Sequence, residues 1–459
     1  MGPQTERKGF TSPDNTRKIQ RIGIIGGGLT GLAVAYALTH ENTRVTIFEK
    51  DEIPGGLASS FDIDGIPIDK YYRHVFESHT ELMKTLEKLG IKDRLFFKKT
   101  SMAYFSGGQL YPLDSPLDLL NFKPLSFLER LRLGFNLSLL LFHRDWKKLD
   151  GIGAGDYLIK HFGHRVFTQF WEPLLKNKFG DFSSKVSAAW LWDRVKSRSS
   201  RGGKKFAGSL GYLTGGFKVL IDRLMEEIIK HGGEIITNCE ITKIGVSRGR
   251  LAPFTLFKQD TRFTDFDECI VTLPVPCFLD IAPTLPEEYI NGLKGIDYAH
   301  SICMVLQLDR PVSPYYWVNI GDRAFPLSVT VEHTRLADPS QYNGNHILYV
   351  SQYVASETDY TWNTPDHALF DMYCRFLKKI FPTFSETNVR DYRVFREKYT
   401  QPVFTAGYSG VKPGFFTPVP GLSLVDTSQF YPLSRCMNTS FILANEFIRQ
   451  WKEKERKTR

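Results

Sequence analysis

Residues Gly26-Gly27-Gly28-Leu29-Thr30-Gly31 satisfy the spacing G-x-G-x-x-G directly after a β-branched run at 22–25 and at the opening of an Ala-rich helical stretch, 29–40. No other feature of the chain restricts its fold as strongly. Gly26 permits a tight turn, Gly28 lets a pyrophosphate approach the backbone, and Gly31 lets the helix lie close to the strand. The helix start leaves unpaired N–H groups and a positive dipole end, which together attract phosphate. A second β-branched run around Val45 and Ile47 completes a βαβ unit. Glu49 closes that run, where a carboxylate can accept hydrogen bonds from an adenosine ribose. A bare glycine motif is a weak signal. Strand, helix, second strand and acid in register make a dinucleotide site the stronger reading.

At 459 residues the chain exceeds one hydrophobic core, so two or three domains or layers are expected. Its formal charge of +9 comes from 59 basic and 50 acidic residues that are well mixed. That balance suits an ordinary basic soluble enzyme, or a basic face turned to an anionic substrate or an acidic membrane surface. No recognition motif accompanies the charge, so nucleic acid is not an expected partner. Six cysteines are scattered without a Cys-x-x-Cys or a His at metal spacing. Free thiols in a reducing compartment follow, not a disulfide scaffold or a metal site. The first twenty residues are polar, without the apolar core of a signal peptide. No apolar run approaches the ~20 residues that span a bilayer. The expectation is a cytoplasmic protein, at most peripheral to a membrane.

Along the chain, residues 1–19 read as a disordered arm, 20–75 as the first dinucleotide-binding segment, and 76–205 as a helical substrate domain. Helices are expected at 81–89, 128–142 and 155–180. Residues 206–280 return to the dinucleotide domain through a loop, a helix at 216–231 and a strand after Gly232-Gly233. Residues 281–400 supply a substrate-domain sheet and a helix at 366–381. Residues 401–451 form the third dinucleotide segment, with a strand at 422–425 and a helix at 440–451. The remainder, 452–459, is a tail expected to fray.

Directly after Glu49 and Lys50 comes Pro54-Gly55-Gly56-Leu57-Ala58-Ser59-Ser60. This second glycine pair resembles that of flavoproteins of the amine oxidase, protoporphyrinogen oxidase and phytoene desaturase superfamily. The resemblance implies FAD, with the backbone of Gly55, Gly56, Leu57 and Ala58 against its phosphates. Arginines often flank the pair in that family. Ile53 and Leu57 stand here instead, so no side-chain phosphate clamp is implied.

The resemblance extends over nearly the whole chain. Asp64-Gly65-Ile66-Pro67-Ile68-Asp69 looks like the strand that leads towards the flavin ring. Gly155-Asp156-Tyr157-Leu158 through Pro173-Leu174-Leu175 resembles the helical segment of the protoporphyrinogen oxidase group. Leu213-Thr214-Gly215-Gly216-Phe217 resembles its loop before the return to the FAD domain, and 267–274 the strand that crosses back under the adenosine half. Gly421-Leu422-Ser423-Leu424-Val425-Asp426 is a strand ending in an acid, followed by Arg435-Cys436-Met437-Asn438 and a helix from Ser440. In the superfamily that final helix aims its N-terminus at the flavin, where its dipole favours the charge of the reduced ring. Asp426, Met437 and Asn438 are then cofactor-binding, with Asp426 on the ribityl or pyrophosphate region. An ordinary amphipathic terminal helix is the plainer alternative.

One local match points elsewhere. Residues 65–76, ending Tyr71-Tyr72-Arg73-His74-Val75-Phe76, are similar to the segment of UDP-galactopyranose mutases that places a histidine beside the flavin. Those enzymes use reduced FAD with no net redox change. The mutases' Tyr/Arg pyrophosphate-binding segments have no counterpart legible in this sequence.

Arg73 and His74 are the first catalytic candidates, since they follow a strand aimed at the cofactor; a surface Arg-His pair is the alternative. Arg435 is the second, with Asn438 in the same loop. Pro314-Tyr315-Tyr316-Trp317 either lines an apolar pocket on the flavin face or packs across strands. The basic, Ser/Gly-rich run 196–205 reads as a mobile loop. The helix 128–142, apolar on one side, is either core packing or an interfacial membrane contact, and the latter requires an exposed apolar face. The fold expected is α/β: a Rossmann-type, glutathione-reductase-like FAD domain with an inserted substrate domain of mixed sheet and helices. The function expected is oxidation or desaturation of a partly apolar small molecule by hydride transfer to FAD. Mutase chemistry is the alternative.

Overall fold

A computed structural model describes residues 19–199, 208–247 and 253–458. The glycine fingerprint follows the central strand of a five-stranded parallel sheet. In spatial order its strands are Leu422–Leu424, Glu268–Val271, Gln20–Ile25, Thr43–Phe48 and Glu234–Ile236. Ile22, Ile24, Val45, Ile47 and Ile270 are fully buried, as expected of parallel strands covered on both faces. One sheet is thus assembled from distant stretches of chain. The helix Leu29–Leu38 is apolar nearly all round and is buried from Leu29 to Ala35. It packs against the C-terminal helix Met437–Thr458 and the helix Lys218–Lys230, which explains why it shows no polar face.

The second layer is a seven-stranded mixed sheet. Its order is Val389–Pro402, Tyr298–Leu308, His346–Val354, Val329–Glu332, Trp317–Ile320, Met102–Ser106 and Gln109–Pro112. Side chains alternate between its two faces. Ile302, Met304, Leu306, Leu348 and Val350 join the helix Asp366–Ile380 in one core, while Cys303, Val305, Ile347, Tyr349, Trp317 and Tyr104 face the main core. That second face carries the candidate site.

Several expectations are corrected. The stretch 76–205 is not purely helical, because Met102–Ser106 and Gln109–Pro112 belong to the seven-stranded sheet. The helix expected at 155–180 is broken: Ala154–Phe162 ends at Gly163, whose φ is 91°, and helix resumes through His164–Val166 to Glu172–Phe179. A Cβ at Gly163 would lie 2.7 Å from the Arg132 guanidinium. The terminal helix starts at Met437, not Ser440, and the expected frayed tail continues it to Thr458. Arg449 pairs with Glu446 and Glu453, and Lys452 with Glu41, which supports the last turns. The loop expected from 206 contains a strand, Ser209–Leu213, paired with Leu95–Lys99. Residues 196–199 of the expected basic loop lie on the helix Ala188–Ser199. Its residues 200–205, like 1–18 of the arm, lie outside the described residues.

The helix Phe127–Phe142 buries only Leu133 and Leu140. Phe127, Leu128, Leu131, Phe135, Leu139 and Phe142 are exposed, from 46% at Leu131 to 81% at Phe142. Core packing therefore accounts for one narrow stripe of it. Among the described residues no helix is long and apolar enough to cross a membrane.

Candidate functional site

The two glycine motifs meet. Gly55 N–H donates to the Gly27 carbonyl at 2.8 Å, and Gly28 and Gly55 form an isolated parallel bridge. A Cβ on Gly56 would stand 3.2 Å from Gly28 Cα. The second pair is thus laid against the first, and Gly55 and Gly56 reach this approach with φ of 122° and 54°, which glycine adopts without strain. A Cβ on Gly31 would lie 2.0 Å from the Gly26 carbonyl, so the helix contacts the turn as the spacing requires. Thr272 Oγ1 braces the same carbonyl at 2.9 Å. At Gly28, in contrast, a Cβ would meet nothing within 4 Å. That open side lies beside the helix start, where unpaired N–H groups favour a phosphate.

Glu49 stands where expected, but its carboxylate also organises the loop. Oε2 accepts from Gly27 N–H at 2.7 Å and Oε1 from Asp51 N–H at 3.0 Å. Burial raises its pKa, with the Asp51 and Gly27 amides opposing the rise. Lys50 and Gly56 are exposed, Gly28 and Leu57 half-buried, and Gly26, Leu29, Thr30, Gly31, Gly55 and Ala58 buried. Thr30 Oγ1 reaches Ser440 Oγ at 3.2 Å and ties the fingerprint helix to the terminal one.

The strands Ser60–Ile63 and Ile66–Asp69 form a hairpin after the second glycine pair. Asp69 anchors its end: Tyr212 Oη donates to Oδ2 at 2.7 Å, Phe217 N–H to Oδ1 at 3.3 Å, and Tyr349 Oη to its carbonyl at 2.8 Å. From this post the chain runs through Tyr71, Tyr72, Arg73 and His74 to Val75, which pairs with Gly211. Tyr72 packs edge-on against Trp317, ring centroids 5.1 Å apart, and against Tyr349. His74 Nδ1 lies 3.2 Å from Tyr316 Oη, and its ring meets Phe76 and Trp317. Arg73 turns back, with Nε donating to the Leu57 carbonyl at 3.0 Å and Nη2 to the same oxygen. Burial, then the neighbouring Arg435, lowers Arg73 to about 10.

The C-terminal candidates divide. Asp426 is 2% exposed, and its carboxylate accepts from Tyr298 Oη at 3.0 Å and from Ser428 Oγ. These donors hold the carboxylate as an internal post at the end of the strand Leu422–Leu424. Asn438 Oδ1 accepts from Leu82 N–H at 2.9 Å, which turns its side chain to the helix Thr80–Lys88. Met437 is buried. Arg435 differs, since its Nε is buried and has no hydrogen-bond partner. Thr272, Tyr212 and Tyr349 were not singled out from the sequence. Arg194, on the helix Ala188–Ser199 and electrostatically adjacent to Arg435, carries no sequence signal at all.

A parallel sheet carrying joined glycine loops, with His74 packed against Tyr316 and Trp317 beside the mixed sheet, defines a two-layer dinucleotide-binding protein. Residues 29–432 match the family model described as flavin containing amine oxidoreductase. The chain belongs to that family, and its cofactor is FAD. It is 28% identical over 200 residues to the coproporphyrinogen III oxidase of Staphylococcus aureus, covering 41% of this chain and 42% of that protein. It spans less than two thirds of the length of the curated relatives it matches. An oxidoreductase from Methanosarcina mazei shares the fold at a TM-score of 0.73 with 20% identity, over 93% of this chain and all 100% of that one. Reduced UDP-galactopyranose mutase shares it at 0.65 with 14% identity, over 85% and 84%.

The residues present fit the cofactor. Gly28, with open space where a Cβ would stand, and the exposed Gly56 would present backbone to its phosphates, and Glu49 stands at the end of the second strand.

Proposed function

We propose that the chain oxidises or desaturates a partly apolar organic molecule held against the wall of Tyr72, His74, Tyr316 and Trp317. Bound FAD supplies the hydride acceptor, flavin N5. The protein's part is placement and exclusion of water. Arg73 holds the loop that follows the second glycine pair through the Leu57 carbonyl, and His74, oriented by Tyr316 Oη, offers a ring nitrogen towards the substrate side. The carrying observation is that, beyond the hairpin leaving the glycine pair, His74 packs against Tyr316 and Trp317 while Arg73 returns to the Leu57 carbonyl. The test is anaerobic mixing of FAD-loaded protein with candidate substrates. Loss of the visible flavin band with formation of a product two electrons more oxidised supports the reading.

Mutase chemistry is the second reading, supported by the 65–76 segment and by the fold shared with the mutase. It predicts turnover that requires prereduced protein and leaves the flavin spectrum unchanged.

The proposal includes a peripheral contact of the Phe127–Phe142 helix with an anionic membrane surface. Its apolar stripe is exposed, and residues 115–165 hold eight Lys/Arg against five Asp/Glu, a combination that favours interfacial binding.

A further inference from the structure

Three arginines stand within reach of one another's charge beside the site, and Arg194 has only its chain neighbour Asp193 as a nearby carboxylate. Arg194 lies on the helix Ala188–Ser199. Its neighbour Asp193 accepts the Ser434 amide at 2.6 Å, which pins this helix to the loop carrying Arg435. Arg73 approaches from the hairpin side, fixed on the Leu57 carbonyl. Burial and then the charge of Arg435 lower the proton affinity of Arg73, while for Arg194 burial leads and Arg435 adds to it. Each of the three is half-buried.

Among the described residues, neither the Arg194 nor the Arg435 guanidinium makes a hydrogen bond or an ion pair, and Arg435 Nε is buried without a partner. The adjacent carboxylates are engaged elsewhere, Asp69 with Tyr212 and Phe217, Asp193 with Ser434. Tyr72 and Tyr353, whose hydroxyls engage each other, flank Arg194. Like charges gathered away from bulk water repel one another unless an anion joins them. A guanidinium's planar fork suits a carboxylate or phosphate, which it can hold bidentately. The dinucleotide's own phosphates have a separate cradle at Gly28 and Gly56.

We propose that Arg194 and Arg435, backed by Arg73, form an oxyanion pocket that holds a carboxylate or phosphate group of the substrate beside the flavin site. This rests on the FAD-dependent reading above and names its substrate class.

The test is calorimetric titration of the FAD-loaded full chain with inorganic phosphate, pyrophosphate and succinate, with FAD content measured first. Saturable one-site binding is expected, weakened roughly 10- to 100-fold by Arg194→Gln and by Arg435→Gln and partly restored by Arg194→Lys. Binding of the phosphates alone identifies a phosphorylated substrate, and of succinate alone a carboxylated one. Equal binding by wild type and both Gln variants, or no binding of any probe, overturns the pocket. So does a Gln variant that loses FAD while keeping anion affinity. If the protein holds no FAD, the parent reading fails, and the same titration of the FAD-free chain judges the pocket alone.

Discussion

The Gly55 amide donates to the Gly27 carbonyl at 2.8 Å, so two glycine motifs separated in sequence by a helix and a strand become one loop-on-loop surface. Gly28 opens on that surface while Gly31 is sealed beneath it. The two glycines of one motif therefore have opposite tolerance to substitution.

Gly28→Val is expected to fold with a stability change within about 1 kcal/mol, because its φ of −66° suits any residue and its Cβ enters open space. It should lose FAD affinity by at least tenfold, since the side chain fills the phosphate cradle. Gly31→Ala should instead cost about 2–4 kcal/mol, as its Cβ would stand 2.0 Å from the Gly26 carbonyl. Thermal unfolding and FAD titration of both variants check the contrast.

Arg73 and His74 adjoin in sequence but act differently. Arg73→Ala removes the hydrogen bonds to the Leu57 carbonyl and is expected to weaken FAD binding by about tenfold. His74→Ala should keep its FAD and slow flavin reduction by substrate at least about tenfold. Stopped-flow reduction and FAD content, measured on both, separate the roles.

Burial raises the Asp69 carboxyl from 3.8 to about 6. A raised acid binds its proton more tightly when folded, so its contribution is complete below about 3.8 and is lost as pH rises through 6. Wild type should therefore lose about 2–3 kcal/mol relative to Asp69→Asn between pH of about 4 and 7. His79, lowered to about 4 by burial, works in the opposite sense as pH falls, but it is common to both proteins and cancels in the difference. Denaturant unfolding across that range measures it, and parallel curves would refute the assignment.

On the Phe127–Phe142 helix, Leu133→Ala should destabilise by about 2–4 kcal/mol and leave membrane association unchanged. The double change Phe135→Ser with Leu139→Ser should alter stability by no more than about 1 kcal/mol and abolish sedimentation with anionic vesicles. Equal sedimentation of wild type with anionic and neutral vesicles would argue against the basic contribution.

What was legible in the sequence was local. The fingerprint, the second glycine pair and the strand to Asp69 declare themselves because each residue's backbone role is set by near neighbours. The partners of Asp426 and Asn438, Tyr298 and Leu82, were not legible because they lie far along the chain. The strand Ser209–Leu213 was hidden by Gly211, which looks like a loop residue. A Cβ there would stand 2.9 Å from the Phe97 ring, so the strand pairing itself demands glycine. Arg194 had no signal, since its meaning arises only where Asp193 meets Ser434.

The most direct test of the account is the identity and amount of cofactor released on denaturing the purified, reconstituted full chain. The joined glycine loops predict one FAD per chain, and a Gly28→Val protein that is folded and colourless. A wild-type chain that takes up no FAD, or that binds a nicotinamide dinucleotide in its place, would contradict it.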